Sequence, residues 1–281
     1  MLNHLNLIEQ NNFFIKNLTL NLPEIIFIIS VLYCFAILIY IKSKNDTKNY
    51  LYLFIDLSII LLIFLNIFYL ICLYYNFNFS GLSFDGLFSI NSFTITGKFL
   101  IAFLTLVYLH TMAPFFVEDG IFDYEFILLI LFAVTGMLFL LASNDFLTMF
   151  LSLELQSFCL YTLAAARLNR TQSVEAGLKY FILGSLASGL LLLGCSLIYL
   201  YNGLSNFTDI KMVLSVSNSL LVLTGFSLGF LFILVGFLFK LGVAPFHNWL
   251  PEVYFGSPTS ITTFLGTIPK ISIYFFLVSS F

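Results

Sequence analysis

The chain has 281 residues, of which 60% are hydrophobic and only 9% are charged. Soluble domains carry roughly 45 to 50% apolar and about 25% charged residues, so this composition indicates a protein whose solvent is largely lipid. With 11 basic and 14 acidic residues the formal net charge is −3, which offers no basic surface and excludes nucleic-acid binding as a main role.

Eight apolar runs are long enough to cross a membrane as helices, since a bilayer core requires about 20 residues. We number them spans 1 to 8: Pro23–Ile41, Leu51–Tyr74, Phe93–Ala113, Tyr124–Ser143, Leu147–Ala166, Ala176–Tyr201, Leu220–Ala244 and Thr259–Phe281. Strands are predicted to be nearly absent, because the runs are too long for membrane strands. The sequence therefore predicts an all-α, polytopic membrane helix bundle with about eight transmembrane helices and no soluble domain.

Several ionisable residues lie inside these apolar runs. Inserting a charged side chain at the centre of a spanning helix costs on the order of 2.5 to 3.5 kcal/mol of free energy. Each such residue therefore calls for a structural or functional explanation. Asp56 and His110 lie near the ends of their spans, where a structural role is the simpler interpretation. The candidates for function are Glu154 in span 5, Lys179 in span 6, Lys240 in span 7 and Lys270 in span 8.

Glu154 and Lys179 carry opposite charges on neighbouring spans. Glu154 is about seven residues from either polar flank of span 5, so its carboxylate is expected to contact Lys240, Lys179 or water inside the bundle. Lys179 follows Glu175 by four residues, and this spacing also permits a plain ion pair along one helix face.

The other two lysines lie beside residues that disrupt a helix. Gly236 and Gly242 flank the lysine of span 7, and Pro245 follows the span directly. We therefore predict an interruption between about Val235 and Pro245, with Lys240 directed into the bundle. Lys270 follows Pro269 in span 8 and repeats this pattern. Interrupted membrane helices beside buried ionisable groups are typical of ion pathways.

Buried lysines and carboxylates are suited to proton exchange. Burial disfavours the charged ammonium and a nearby carboxylate favours it, so a movable Glu–Lys contact switches a lysine between holding and releasing a proton. The sequence has no glycine-rich nucleotide fingerprint after a strand and no cysteine set for haem or an iron–sulfur cluster. Its four cysteines lie singly in apolar runs, which indicates buried hydrophobic side chains rather than metal ligands.

The second half of the chain carries motifs that resemble one membrane protein family. They are FKLGVAPFHNWLPEVY at 239–254, GSPT at 256–259, PKI at 269–271, EL at 154–155, EAGLKYF at 175–181 and LGSLASG at 183–189. Together they resemble the chain 2 family of mitochondrial NADH-ubiquinone oxidoreductase (respiratory complex I), one of its antiporter-like subunits. The EVYxG ending favours chain 2 over the paralogous chains 4 and 5. The specific resemblance begins at about Asp145.

The resemblance implies a domain organisation and a set of site residues. Residues 1–113 would form an N-terminal three-helix segment. Residues 114–281 would form a five-helix bundle, the first half of an antiporter-like inverted repeat with a broken helix in span 7. Glu154, Lys179, Lys240 and Lys270 would translocate protons, coupled to NADH:ubiquinone oxidoreduction elsewhere in the complex.

The same resemblance implies the cofactors, partners and location of the protein. FMN, the iron–sulfur clusters and ubiquinone would bind to other subunits, leaving no redox site, cofactor or metal on this chain. Its partners would be lipids and other membrane-arm subunits of complex I, in the mitochondrial inner membrane. The abundance of residues with AT-rich codons, including 36 phenylalanines, also favours an organelle genome.

The departure from the family is the absence of the second repeat. We expect a split gene, with a second polypeptide that supplies the C-terminal half, in preference to a fragment. Two other functions stay open: a subunit of a multi-subunit sodium/proton antiporter, which resembles the same family, and a structural membrane scaffold with static ion pairs. A hydrated path from Lys179 to Lys270 would separate proton pumping from the scaffold.

Overall fold

A computed structural model describes residues 21–41, 47–74, 81–119, 125–167, 169–216 and 220–280. Within these ranges the chain forms ten helices and one antiparallel hairpin. The helices are α1 (Leu22–Ile41), α2 (Thr47–Tyr74), α3 (Ser92–Glu118), α4 (Glu125–Ala142), α5 (Phe146–Ala164), α6 (Thr171–Asn202), α7 (Phe207–Val216), α8 (Leu220–Leu241), α9 (Trp249–Gly256) and α10 (Thr259–Ser280). The hairpin pairs β1 (Gly81–Ser83) with β2 (Phe88–Ile90).

The eight long helices correspond to the eight predicted spans. In the part of the chain that the structure describes, seven of them, α2 to α6 together with α8 and α10, are long and apolar enough to cross a membrane. The eighth, α1, has 20 residues, most of them apolar. The all-α, polytopic fold predicted from the sequence is confirmed.

Three elements between the spans differ from the expectation of plain loops. The hairpin turns at Phe84, Asp85 and Gly86, whose φ angles are 51°, 56° and 86°. It packs on the start of α5, where the backbone N–H of Asn144 donates to the Leu87 oxygen at 2.9 Å. The short helices α7 and α9 are the other two, and neither is long enough to form an apolar run of its own.

α4 lies at the centre of the bundle. α1 and α3 pack on it from the N-terminal side, and α5 and α10 pack on it from the later part of the chain. Most of its residues are buried, and they belong to one hydrophobic core that extends from α1 to α10. The division of the chain at residues 113 and 114 stays a prediction, although α3 continues through Pro114 to Glu118.

α6 and α8 approach each other closely where glycines face the partner helix. A Cβ atom at Gly194 would lie 2.6 Å from the backbone oxygen of Gly229, and one at Gly236 would lie 2.8 Å from the Cβ of Leu191. Small residues allow membrane helices to pack backbone against backbone. Gly236 therefore serves helix packing, and α8 is continuous at this position.

We predict that Gly194→Ala lowers the free energy of unfolding by about 1 to 3 kcal/mol, because the added methyl group overpacks the α6–α8 contact. Gly189→Ala in the same helix is the matched control, since a Cβ there has no atom within 4 Å. The thermal unfolding temperature in detergent is the measurement. Equal temperatures for the two variants would contradict the assigned contact.

Candidate functional site

α8 ends one residue after Lys240, at a left-handed glycine. Gly242 has a φ angle of 71°, which glycine adopts without steric cost. Two backbone bonds close a Schellman motif: Gly242 N–H to Phe239 O at 3.0 Å and Val243 N–H to Leu238 O at 3.0 Å. Lys240 is thus in the last turn of a helix, where the helix dipole favours a basic residue.

The interruption of span 7 is present and begins at Gly242, within the predicted interval from Val235 to Pro245. α8 is regular to Leu241, residues 242–248 form turns instead of a helix, and α9 begins at Trp249. The break therefore follows Lys240 instead of surrounding it. The reason is that Gly242 ends the helix before Pro245 is reached.

Trp249 connects the two sides of this break. Its indole Nε1 donates to the backbone oxygen of Phe239 at 3.1 Å. Its ring stacks on Tyr180 of α6, with centroids 4.7 Å apart and an interplanar angle of 9°, and on the Phe239 ring at 5.5 Å. One buried side chain thus fixes the start of α9 to both α6 and α8.

Lys240 and Glu154 form an ion pair inside the bundle, as the sequence predicts for Glu154 and a lysine. The Lys240 Nζ lies 3.6 Å from the Glu154 Oε1, and the two side chains are 7% and 16% exposed. Usual N–H···O hydrogen bonds span roughly 2.7 to 3.2 Å. Among the described residues neither atom has a hydrogen-bond partner, so the contact is a loose ion pair.

Tyr161 lies beside this pair. The Lys240 Nζ is 6.0 Å from the centre of the Tyr161 ring, at the outer limit of a cation–π contact. The phenol oxygen reaches the backbone of α6 at Gly184, where a Cβ atom would lie only 2.1 Å away. The ring also packs edge-to-face on Tyr180, with centroids 4.6 Å apart. Aromatic side chains therefore separate the ion pair from the α6 surface.

Lys179 does not join the Glu154–Lys240 pair. Its Nζ contacts Glu175 Oε1 at 2.8 Å, one helical turn away, and Glu252 Oε2 of α9 at 2.6 Å. The Lys179 side chain is 44% exposed, whereas its place in an apolar run predicts burial. The Glu175 contact is the ion pair that the sequence spacing permits; Glu252 is a partner that the sequence pattern does not reveal.

Lys270 lies in the interior of α10, immediately after Pro269, and is half-buried. Its Nζ is 5.6 Å from the centre of the Tyr254 ring on α9. Across the described ranges, no carboxylate lies within ion-pair distance of Lys270. Pro269 does not interrupt α10, so the expected similarity to span 7 is limited to the sequence.

The later part of the chain matches a family model described as NADH:quinone oxidoreductase/Mrp antiporter, TM, over residues 143–281. These residues belong to the NADH:quinone oxidoreductase/Mrp antiporter family. The matched segment contains Glu154, Lys179, Lys240 and Lys270.

Relatives of known name are similar over a larger part of the chain. NADH-quinone oxidoreductase subunit N 1 of Acidiphilium cryptum is 44% identical over 198 residues, 70% of this chain and 41% of that protein. NADH-ubiquinone oxidoreductase chain 2 of Marchantia polymorpha is 41% identical over 187 residues, 66% of this chain and 38% of that protein. The chain thus spans about two fifths of the length of the curated relatives it matches.

A solved structure supports the same assignment. A chain of respiratory complex I from Thermus thermophilus superposes with a TM-score of 0.71 at 26% identity, over 92% of this chain and 53% of that chain. The resemblance to chain 2 is therefore confirmed, and the partial coverage fits the N-terminal part of such a subunit.

A second buried ion pair lies in α1 and α3, outside the antiporter-family segment. The Lys98 Nζ is 2.5 Å from the Glu24 Oε1, and the side chains are 1% and 3% exposed. Tyr69 of α2 donates its hydroxyl to the same oxygen at 3.1 Å. This ion pair was not predicted from the sequence. The feature that could have revealed it is a lysine, Lys98, more than one turn inside span 3.

Asp119, just after α3, holds the start of α10. Its carboxylate accepts hydrogen bonds from the Ser260 N–H at 2.9 Å, the Ser260 hydroxyl at 2.6 Å and the Thr259 hydroxyl at 3.1 Å, and it pairs with the Arg167 guanidinium. Burial alone would raise the pKa of Asp119, but these hydrogen bonds and the Arg167 charge outweigh it and lower the pKa below its usual value.

The remaining candidates from the sequence have no visible site. Asp56 and His110 are exposed. The four cysteines are free, three of them buried and Cys72 half-buried. Within the described ranges, no group of three or more histidine, cysteine, aspartate or glutamate side chains is arranged to hold a metal ion.

We predict that Asp119→Asn changes the pH dependence of stability. A lowered folded pKa makes the contribution of Asp119 complete above the unfolded value of about 4 and removes it as the pH falls through the folded value. The unfolding temperature of the parent in detergent should therefore fall on acidification below about pH 4, and that of Asp119→Asn should fall less. The control Asp56→Asn alters an exposed aspartate and should follow the parent. Equal slopes for Asp119→Asn and the parent would refute the assignment.

Proposed function

We propose that the chain is a proton-translocating membrane subunit of a complex I-type NADH:quinone oxidoreductase. In this proposal Glu154, Lys179, Lys240 and Lys270 exchange the protons. The observation that carries it is the buried Glu154–Lys240 pair, which is held at 3.6 Å beside the break that follows α8. The names of the relatives, subunit N and chain 2 of NADH-quinone oxidoreductases, support the same function.

The geometry of the pair suits a switch. At 3.6 Å the ammonium is near the carboxylate without a hydrogen bond, so little directional energy holds the two together. When the pair closes, the carboxylate favours the charged lysine; when it opens, the buried amine favours its neutral form and gives up a proton. A displacement of about 1 Å at the end of α8 is enough to change the contact, because it would bring the ammonium from 3.6 Å to hydrogen-bond distance of the carboxylate.

The proton released by Lys240 needs an acceptor further along. Lys270 is the next ionisable candidate in the chain, and Tyr254 and Trp249 lie between the break and its ammonium. The curated relatives extend well beyond the length of this chain. We infer that the part of the fold they contain in addition packs beside Lys270 and receives the proton.

The surroundings of the chain follow from the same proposal. The redox centres lie on other subunits, so the protein contributes proton transfer and no electron transfer of its own. Its partners are other complex I membrane-arm subunits and lipids, and its location is the mitochondrial inner membrane. The similarity to chain 2 of Marchantia polymorpha supports the mitochondrial type, while a bacterial subunit N is equally similar.

A sodium/proton antiporter subunit is the second candidate, because the family model includes Mrp antiporters. The names of the relatives favour complex I over this alternative. A static scaffold would require ion pairs satisfied by hydrogen bonds on both sides. The Glu154–Lys240 pair lacks such bonds among the described residues, which argues against a purely structural role.

We predict that Lys240→Met lowers proton pumping by the assembled complex on the order of a hundredfold, the size expected for loss of a proton-transfer group. The methionine fills the same space, so assembly should persist. Lys211→Met, which removes an exposed lysine on α7, is the matched control. Proton release per NADH oxidised, measured in membrane vesicles, decides the question, and parental pumping by Lys240→Met would exclude Lys240 as a proton carrier.

We also predict that a photo-crosslinking residue at Tyr274, which is 62% exposed and one turn beyond Lys270, captures a membrane polypeptide with its own buried lysine or glutamate. The same residue at Ile29, 61% exposed on α1, should capture lipid instead. Mass spectrometry of the products identifies the partner. Capture of lipid alone at Tyr274 would contradict a protein neighbour at this face.

A further inference from the structure

The short helix α9 contacts the surroundings of all three candidate lysines, each through a different side chain. Trp249 donates to the backbone of Phe239, the residue before Lys240, at 3.1 Å; Glu252 pairs with Lys179 at 2.6 Å; and the Tyr254 ring faces the Lys270 ammonium at 5.6 Å. These lysines belong to α8, α6 and α10, and no pair of them is in direct contact among the described contacts. α9 is the element that they share.

α9 is a short helix whose position depends on its tertiary contacts. It has eight residues, and an isolated helix of that length is marginal without tertiary packing. Residues 242–248 separate it from α8, and Ser257 and Pro258 separate it from α10. Only Trp249 and Val253 are fully buried in it, while Phe255 is 80% exposed. The position of α9 therefore depends on its contacts with α6, α8 and α10.

We propose that α9 couples the protonation of the three lysines, with Glu252 as the positioning residue that ties it to Lys179. The proposal rests on the proposed function, in which these lysines gain and lose protons. Loss of the proton from Lys179 removes the charge that attracts Glu252, so α9 is released from one of its contacts with α6. Its displacement then alters both the end of α8 at Lys240 and the aromatic face over Lys270.

Lys179 offers an internal comparison, because it is shared by two carboxylates. Glu175 lies on α6, four residues earlier in the same helix, so its contact cannot transmit a displacement to α9. Glu252 lies on α9, so its contact links two elements. Their side chains are 64% and 58% exposed, which makes solvent screening similar for the two pairs. If only the charge balance of Lys179 mattered, the two carboxylates would be equivalent.

The test compares Glu252→Gln with Glu175→Gln in the assembled complex in native membranes. Each variant removes one carboxylate charge from Lys179 and keeps the size of the side chain. We expect Glu252→Gln to lower the number of protons pumped per NADH about fivefold, the upper range for a half-exposed ion pair, and Glu175→Gln to stay within about twofold of the parent. Equal effects of the two variants, or parental pumping by Glu252→Gln, would overturn the proposal.

Three further variants keep the proposal testable if Glu252→Gln does not assemble. Glu252→Asp retains the charge and should retain pumping. Tyr254→Phe retains the ring that faces Lys270 and should resemble the parent, whereas Tyr254→Leu removes the ring and should lower pumping; parental pumping by Tyr254→Leu would overturn the coupling through α9. Lys240→Met distinguishes the coupling through α9 from the proposed function. If Lys240→Met abolishes pumping while Glu252→Gln and Glu175→Gln behave alike, the coupling is wrong and the proposed function stands.

Discussion

Within a bilayer every backbone N–H and C=O must find its partner inside the protein, and this constraint governs the break after α8. The Schellman bonds at Gly242 return two N–H groups to the last turn of the helix. Trp249 adds a third donor from the other side of the break. A membrane helix can end beside Lys240 only because both sides of the gap supply these hydrogen bonds. The position of the lysine and the position of α9 are therefore determined together.

Among the described residues, the Glu24–Lys98 and Glu154–Lys240 ion pairs lie in the interior of the bundle and differ in character. In α1 to α3, the Glu24 carboxylate pairs with the Lys98 ammonium at 2.5 Å and accepts a hydrogen bond from the Tyr69 hydroxyl on the same oxygen. These two contacts offset much of the free-energy cost of removing both charges from water. In the antiporter-family segment, the Glu154–Lys240 pair is more than an ångström longer and has no phenol donor. The first arrangement holds three helices together, and the second leaves the distance between its charges adjustable.

The sequence predicts the spans and a contact of Glu154 with Lys240 or Lys179, because long apolar runs and buried charges carry large transfer energies. Only the structure shows that Lys240 is the partner. Gly242 and Pro245 also predict the break, although only the structure shows which of them ends the helix. The exposure of Lys179 and its pairing with Glu252 depend on where α9 folds back, a tertiary contact without periodicity. The hairpin at 81–90 has a different history: Asp85–Gly86 at its turn is a dipeptide typical of tight hairpins, and a search for long apolar runs passes over it. Only Phe84, with a φ angle of 51°, is a residue that does not signal a positive φ angle.

The carboxylate that caps α10 lies 141 positions earlier in the chain than the Ser260 N–H it accepts. The position of the first turn of α10 along the helix axis is therefore set by a residue at the end of α3. Lys270 follows Ser260 by ten residues, or about 15 Å along the helix. The depth of the Lys270 ammonium in the membrane is consequently linked to Asp119 at the boundary, although the two residues are not in contact.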